Sequence, residues 1–117
     1  MSTTVTMYGI RNCDTVRKAR AWLDERKVRY TFHDVKVDGL ERAQLEAWCR
    51  AHGWQVLLNR AGTTFRNLPA AVKHDLSEPA AIALILEHPS IMKRPVLDAG
   101  GRSVVGFTPD RYEAFLA

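Results

Sequence analysis

The chain has 117 residues, of which 46% are hydrophobic and 26% charged, a balance typical of one ordinary globular domain with its own core. Its 17 basic and 13 acidic residues give a net charge of +4, which suits an anionic small molecule or an acidic protein surface. This charge does not by itself indicate nucleic acid binding, and no apolar run approaches the roughly 20 residues of a membrane span.

A strand, a helix and a second strand are predicted in the first third of the chain. Residues 5–8 form a short strand, and residues 14–27 place apolar side chains at helical spacing. Residues 30–35 are rich in aromatic and β-branched side chains, which favour a second strand. This order predicts a right-handed βαβ unit with parallel strands.

The middle of the chain is predicted to be helical. Asp38 and Glu41 form an acidic variant of the capping box, which starts a helix near Gly39 that stops at Gly53. We expect short helices after it, and then a helix that Ser77 caps and that is buried because it is apolar all round.

The end of the chain predicts a hairpin and a last helix. Residues 95–97 and 103–106 read as strands joined through residues 99–102. Thr108 caps the last helix, with Pro109 in its first position. The sum is β–α–β, a helical insert and β–β–α, which is the order of a thioredoxin-like α/β fold.

Cys13 lies where the first predicted strand passes into the first helix. A thiol there faces backbone N–H groups and the positive end of the helix dipole, and both favour thiolate over thiol. Arg11, Arg17 and Lys18 act in the same direction. We interpret Cys13 as a nucleophile for a disulfide, a peroxide or an oxyanion such as arsenate; the alternative is a small core residue.

Arg94 and Pro95 open a later strand. Proline cannot donate a hydrogen bond to a sheet, so it belongs at the start or the edge of a strand. An arginine beside it could stabilise a thiolate or bind an anionic substrate, and the alternative is a solvated surface side chain.

Four blocks in the chain resemble the ArsC/Spx family, most closely its YffB-like branch: residues 8–19, 33–40, 57–68 and 88–97. The resemblance implies a four-stranded mixed sheet (βαβ…ββα) with an ArsC-type helical insertion. It implies a single domain over residues 1–117, with a thioredoxin-like core of about residues 1–37 and 89–117 and an insert of about 38–88. It also implies a cis-proline at Pro95 facing the cysteine.

The resemblance further implies a site made of two catalytic residues, Cys13 and Arg94, with Pro95 positioning the substrate. The other candidates for binding substrate or glutathione are Arg11, Asn12, Thr15, Arg17 and Arg60. No metal is expected, because the four histidines show no metal-ligand spacing with either cysteine.

We therefore predict a glutathione-dependent monothiol reductase, a thiol-disulfide oxidoreductase with glutathione as co-substrate and no bound cofactor. The family's arsenate reductases use three arginines, of which only Arg94 carries over cleanly. Asn59 stands where the first belongs, with Arg60 one place later, and Phe107 stands at the third position. Arsenate reduction is accordingly expected to be weak or absent.

Two alternatives stay open at this point. One is an Spx-like regulator that binds RNA polymerase, although Val16 replaces the second cysteine of the Spx Cys-x-x-Cys switch. The other is a true arsenate reductase. Cys49 is expected to be packed, so an external thiol would resolve Cys13.

The expected setting is a monomer in the cytoplasm, without a membrane or direct nucleic acid contact. Residues 2–6 lack the basic start and apolar stretch of a signal peptide. Two cysteines are too few for a disulfide scaffold and suit a reducing compartment.

Overall fold

The computed structural model describes residues 4–117, so the first three residues, on which part of the signal-peptide expectation rests, lie outside the described residues. The chain divides into two compact units: residues 4–38 with Arg94–Ala117, and Gly39–Lys93. The second unit ends at Lys93 rather than at residue 88, because the N–H of Lys93 donates to the carbonyl of Leu57 within that unit. The assignment of all 117 residues to a single domain stays a prediction.

The first unit contains a four-stranded mixed sheet, as predicted. Its strands are β1 (Val5–Gly9), β2 (Thr31–Asp34), β3 (Val96–Ala99) and β4 (Arg102–Val105). The strand order is β2-β1-β3-β4. β1 pairs parallel with β2 and antiparallel with β3, which in turn pairs antiparallel with β4. This mixed sheet with its helices is the thioredoxin-like arrangement.

Two helices complete the first unit, α1 (Asp14–Glu25) and α7 (Pro109–Leu116). α1 ends before residue 27, because Lys27 has a positive φ of 55°. The Oγ1 of Thr108 accepts a hydrogen bond from the N–H of Arg111, which confirms the predicted cap of α7. The buried core of this unit joins the sheet to both helices and consists of Val5, Met7, Val16, Ala19, Trp22, Leu23, Leu97, Ala99, Val104 and Tyr112.

The second unit is helical: α2 (Arg42–His52), α3 (Trp54–Leu57), α4 (Thr63–Arg66), α5 (Ala70–His74) and α6 (Glu78–Glu87), followed by a 3-10 turn at Pro89–Ile91. Ser77 caps α6 through its Oγ, as predicted. The predicted capping box at the start of α2 is wrong. Glu41 is the N-cap and makes no side-chain cap hydrogen bond, while the carboxylate of Asp38 accepts from the N–H of Asp34 instead.

The β3–β4 hairpin is tighter than the predicted four-residue loop. Both Gly100 and Gly101 have positive φ, 60° and 80°, and they alone connect the strands. Two left-handed residues match the twist of paired strands, which is why glycine is needed at both positions. In residues 4–117, no helix combines the length and the apolar character needed to cross a membrane.

Candidate functional site

The strand pairing brings four chain segments together at one edge of the sheet. Gly9 lies opposite Asp34, so β1 and β2 end there together. Because β3 runs antiparallel to β1, its first residue, Val96, lies opposite Tyr8 at the same edge. The N–H of Gly106, just after β4, donates to the carbonyl of Pro95 at 2.8 Å. The loop after β1 and the Arg94–Pro95 segment before β3 therefore lie at neighbouring ends of two adjacent strands.

Cys13 ends the loop after β1 and is the N-cap of α1. Its backbone is extended (φ −130°, ψ 124°), its thiol makes no capping hydrogen bond, and its carbonyl accepts from the N–H of Arg17. The side chain is half-buried and packs against the core of the first unit. Cys13 thus stands at the N-terminus of α1, the positive end of the helix dipole, and is not fully buried.

Three predicted binding residues surround Cys13 in the sequence. Asn12 and Thr15 are exposed, the first in the loop and the second in the first turn of α1. Arg17 forms an exposed ion pair with Asp14 across one turn of the helix. This pair offsets the negative charge that Asp14 brings next to Cys13, and it directs Arg17 toward the helix surface.

Arg11 is held by a carboxylate at the end of β2. Its Nη1 donates to Oδ2 of Asp34 at 3.1 Å, and its guanidinium carbon lies 5.3 Å from the centre of the Phe32 ring. The Asp34 side chain is 6% exposed, whereas that of Arg11 is 61% exposed. The partner is therefore fixed inside the protein, and the cation remains open to solvent.

Asp34 is the one charged residue that is buried among residues 4–117. Burial by itself would raise the pKa of its carboxyl group. The backbone N–H groups of Lys36 and Val37, together with Arg11, outweigh burial and hold the pKa below its ordinary value. Asp34 is thus a carboxylate in the folded protein.

Arg94 and Pro95 lie on the other side of β1. The peptide bond between them is cis. Pro95 is buried, while Arg94 is half-buried, with its Nε fully buried. In the sheet order β2-β1-β3-β4, the Arg11–Asp34 pair is on the β2 side of β1 and Arg94 is on the β3 side.

Arg60 follows α3 in the second unit, where its guanidinium carbon lies 5.9 Å from the centre of the Trp54 ring. Cys49 also belongs to the second unit and is buried. Burial, helped by the charge of Glu78, raises the pKa of the Cys49 thiol. Among the described residues, no group of three or more His, Cys, Asp and Glu side chains could hold a metal ion.

The sequence model of the ArsC family matches residues 8–115. The chain belongs to the ArsC family. A solved YffB protein is 60% identical, with 97% of this chain and 100% of that chain covered and a TM-score of 0.94. An arsenate reductase (ArsC) related protein from Brucella melitensis is 48% identical, with 99% and 97% covered and a TM-score of 0.78. The global transcriptional regulator Spx of Streptococcus pneumoniae is 28% identical over 114 residues, or 96% of this chain and 85% of the regulator. The predicted ArsC/Spx family and thioredoxin-like fold are confirmed.

Phe107 and Asn59, which the resemblance sets against arginines of arsenate reductases, both make structural contacts here. The Phe107 ring packs edge-on against Tyr112 and Trp22, with centroid distances of 4.7 and 6.4 Å. Asn59 holds its own loop, since its Oδ1 accepts from the N–H of Ala61. Neither side chain supplies a positive charge.

Sequence reasoning missed Asp34 within this ArsC-family chain. The sequence predicts Asp34 only as part of the second strand, and it predicts Arg11 both as a cation near Cys13 and as a candidate for binding substrate or glutathione. The signal was an aspartate at the end of a strand predicted to run parallel to β1, since parallel strands end at the same sheet edge. The pairing itself is a tertiary contact between residues 23 positions apart.

Proposed function

We propose that this ArsC-family protein is a cytoplasmic, glutathione-dependent monothiol reductase in which Cys13 is the nucleophile. The observation that supports the proposal is the set of residues that meet at this edge of the sheet. The half-buried residue Cys13 is the N-cap of α1 there, Arg11 is held on the β2 side, and Arg94 lies two residues before β3. Thiolates are the reactive form of cysteine, and helix N-termini with nearby cations favour them.

The chemistry is exchange of one disulfide bond for another. The Cys13 thiolate attacks the glutathione sulfur of a disulfide between substrate and glutathione, so that a bond forms between Cys13 and glutathione. The old S–S bond breaks, and the substrate leaves as a thiolate that takes up a proton from water. A second glutathione thiolate attacks the Cys13-bound glutathione sulfur, which releases glutathione disulfide and restores the Cys13 thiolate. The substrate sulfur is reduced, glutathione is oxidised, and no bound cofactor takes part.

An external thiol is proposed because the site offers no second one. Val16 occupies the position three residues after Cys13 and is fully buried. Cys49 is buried in the second unit, and its raised pKa keeps it a thiol. A small, abundant thiol such as glutathione fits this requirement.

The two arginines would bind the acidic groups of glutathione. Glutathione carries two carboxylates at neutral pH, and guanidinium groups form short, charge-assisted hydrogen bonds with carboxylates. Arg94, half-buried at the start of β3, is the proposed main anion partner. Arg11 is the proposed second, Pro95 would position the substrate, and Arg60 in the second unit remains a candidate.

The test is turnover of a glutathione mixed disulfide, followed through NADPH oxidation by coupled glutathione reductase. Cys13→Ser should abolish turnover, because a serine hydroxyl cannot form the mixed disulfide. Cys49→Ala is the matched control and should retain turnover, since the thiol it removes is buried. Turnover that survives Cys13→Ser would contradict the proposal.

A second candidate function is transcription regulation through RNA polymerase binding. The observation that favours it is the 28% identity with the Spx regulator along 96% of this chain. Capture of RNA polymerase on the immobilised protein, equally strong for wild type and Cys13→Ser, would support this function. Failure of both forms to capture polymerase would exclude it.

A further inference from the structure

The Asp34 carboxylate uses its two oxygens for two different purposes. Oδ1 accepts from the N–H of Lys36 at 3.0 Å and from the N–H of Val37 at 3.3 Å, which shapes the turn after β2. Oδ2 accepts from Nη1 of Arg11 at 3.1 Å. The turn needs only one acceptor oxygen, which an asparagine would also supply. The second oxygen, and with it the negative charge, serves Arg11.

The pair lies at the end of the sheet from which the loop to Cys13 starts. Asp34 lies opposite Gly9 in the β1–β2 register, and Arg11 is in the loop that leads from Gly9 to Cys13. A buried carboxylate is costly unless it is paired and hydrogen-bonded, and here both conditions are met. The pair therefore restrains a flexible arginine two residues before the candidate nucleophile while most of its side chain stays exposed.

We propose that Asp34 is a positioning residue that holds Arg11 on the β2 side of Cys13 as an anchor for a carboxylate of the reacting thiol or disulfide. This inference rests on the proposed function, because it requires that Cys13 reacts with sulfur compounds. It assigns the substrate class as thiols and disulfides that carry a carboxylate close to the sulfur. It also places the two arginines on opposite sides of β1, with Asp34 supporting Arg11.

The test compares two disulfide probes with the full-length protein. Dithionitrobenzoate carries carboxylates, and dipyridyl disulfide is neutral. In each reaction the Cys13 thiolate attacks one sulfur, a mixed disulfide forms, and an aromatic thiol is released that absorbs light. The ratio of the two rate constants measures recognition of the carboxylate, because changes in the nucleophile affect both probes alike.

Asp34→Asn keeps the acceptor oxygen for the turn and faces Arg11 with an amide. If Asp34 positions Arg11, the ratio of anionic to neutral rates should fall about threefold, as expected for one partly exposed charge contact. If Asp34 only neutralises Arg11, losing its negative charge should raise the ratio. The two explanations therefore differ in sign.

Asp38→Asn is the matched control, because it removes a carboxylate from the same turn without a contact to Arg11. A ratio for Asp34→Asn that equals or exceeds the ratio for Asp38→Asn would overturn the proposal. If Asp34→Asn does not fold, Arg11→Gln at its exposed position is the second variant. Its ratio should also fall about threefold, and an unchanged ratio would overturn the proposal. Where Asp34→Asn does fold, adding it to Arg11→Gln should cause no further fall.

The probe reaction is independent of glutathione turnover. If glutathione turnover is absent but the ratio still depends on Asp34, the glutathione-dependent function is wrong and the positioning role of Asp34 stands. If turnover is normal but the ratio does not depend on Asp34, the positioning role is wrong and the glutathione-dependent function stands. In active protein, Asp34→Asn should raise the KM for glutathione more than it lowers kcat.

Discussion

Gly9 at the end of β1 lies so close to Val16 of α1 that a Cβ on Gly9 would be 2.8 Å from Cγ2 of Val16. Real Cβ atoms essentially never make such a short contact. Val16 is a stiff, β-branched side chain and is fully buried, so it has little freedom to move aside. The close approach sets how near the first turn of α1, and therefore Cys13, lies to the sheet.

We expect Gly9→Ala to destabilise the protein by about 1–3 kcal/mol, the usual cost of overpacking a close-packed site. Urea unfolding measures this loss. Gly62→Ala is the control, because its φ is −74° and its added Cβ would contact only the side chain of Asn59, at 3.2 Å. Equal losses in the two variants would contradict the role of the Gly9–Val16 contact.

The two cysteines should differ in alkylation by iodoacetamide. In the native protein Cys13 should react, because its thiol is half-buried at a helix N-terminus. Cys49 should react only after denaturation, since burial and Glu78 raise its pKa and leave little thiolate. Peptide mass spectrometry before and after adding denaturant identifies the modified residue. Labelling of Cys49 in the native state would show that α2 opens readily.

Arg94→Gln should weaken glutathione binding roughly ten- to a hundredfold, since a hydrogen bond with a charged group contributes about 1.5–3 kcal/mol and about 1.4 kcal/mol is a factor of ten. The measurement is the KM for glutathione in the coupled assay. Arg29→Gln is the control: it removes the same charge just before β2, at the opposite edge of the sheet. If both variants raise the KM equally, the effect is one of net charge and the assignment of Arg94 as anion partner fails.

Asp34 should make stability depend on pH in the acid range. Its folded-state pKa is lowered, so its contribution is fully present above the ordinary aspartate pKa of about 3.9 and is lost as the pH falls through the lower folded value. The free energy of unfolding of wild type should therefore fall more steeply with acidification than that of Asp34→Asn.

Urea unfolding at a series of pH values from neutral to acid measures the two slopes. Asp24→Asn, at an exposed position on α1, serves as a control for removing one carboxylate. Parallel curves for wild type and Asp34→Asn would mean that Arg11 and the turn do not stabilise the ionised carboxylate.

Arsenate should be a poor substrate. The resemblance to arsenate reductases sets Phe107 against their third arginine, and the Phe107 ring packs against Trp22 and Tyr112. It sets Asn59 against the first, with Arg60 one place later. Each missing charged contact withholds about 1.5–3 kcal/mol from a bound dianion. Arsenate-dependent NADPH oxidation, coupled through glutathione and glutaredoxin, should therefore stay far below disulfide turnover; comparable rates would establish a true arsenate reductase.

Much of the fold was predictable because its signals are local. The caps at Ser77 and Thr108 are formed by side chains within three residues of the N–H groups they accept from, so the sequence pattern contains the whole interaction. The capping box at Asp38 failed because a different local partner takes its carboxylate. That carboxylate accepts from the N–H of Asp34, four residues earlier, in the turn after β2.

The residues of the candidate site also differ in how far the sequence alone predicts them. Cys13 at a helix N-terminus and Arg94–Pro95 at a strand start are visible in the sequence, because both depend on the order of neighbouring residues. The strand order and register, which the sequence does not show, bring these two segments to the same sheet edge as Asp34. Arg60 and Cys49 belong to the second unit.

The element order, the family and the candidate nucleophile can be predicted from the sequence, since these depend on residue types and their spacing along the chain. That Arg11 is restrained by a buried carboxylate and that Gly9 has no room for a side chain is visible only in the tertiary structure. Both depend on parallel pairing of β1 with β2 and on packing of α1 against the sheet. Contacts of this kind join residues far apart in sequence, and their distances are set by the packing of the whole unit.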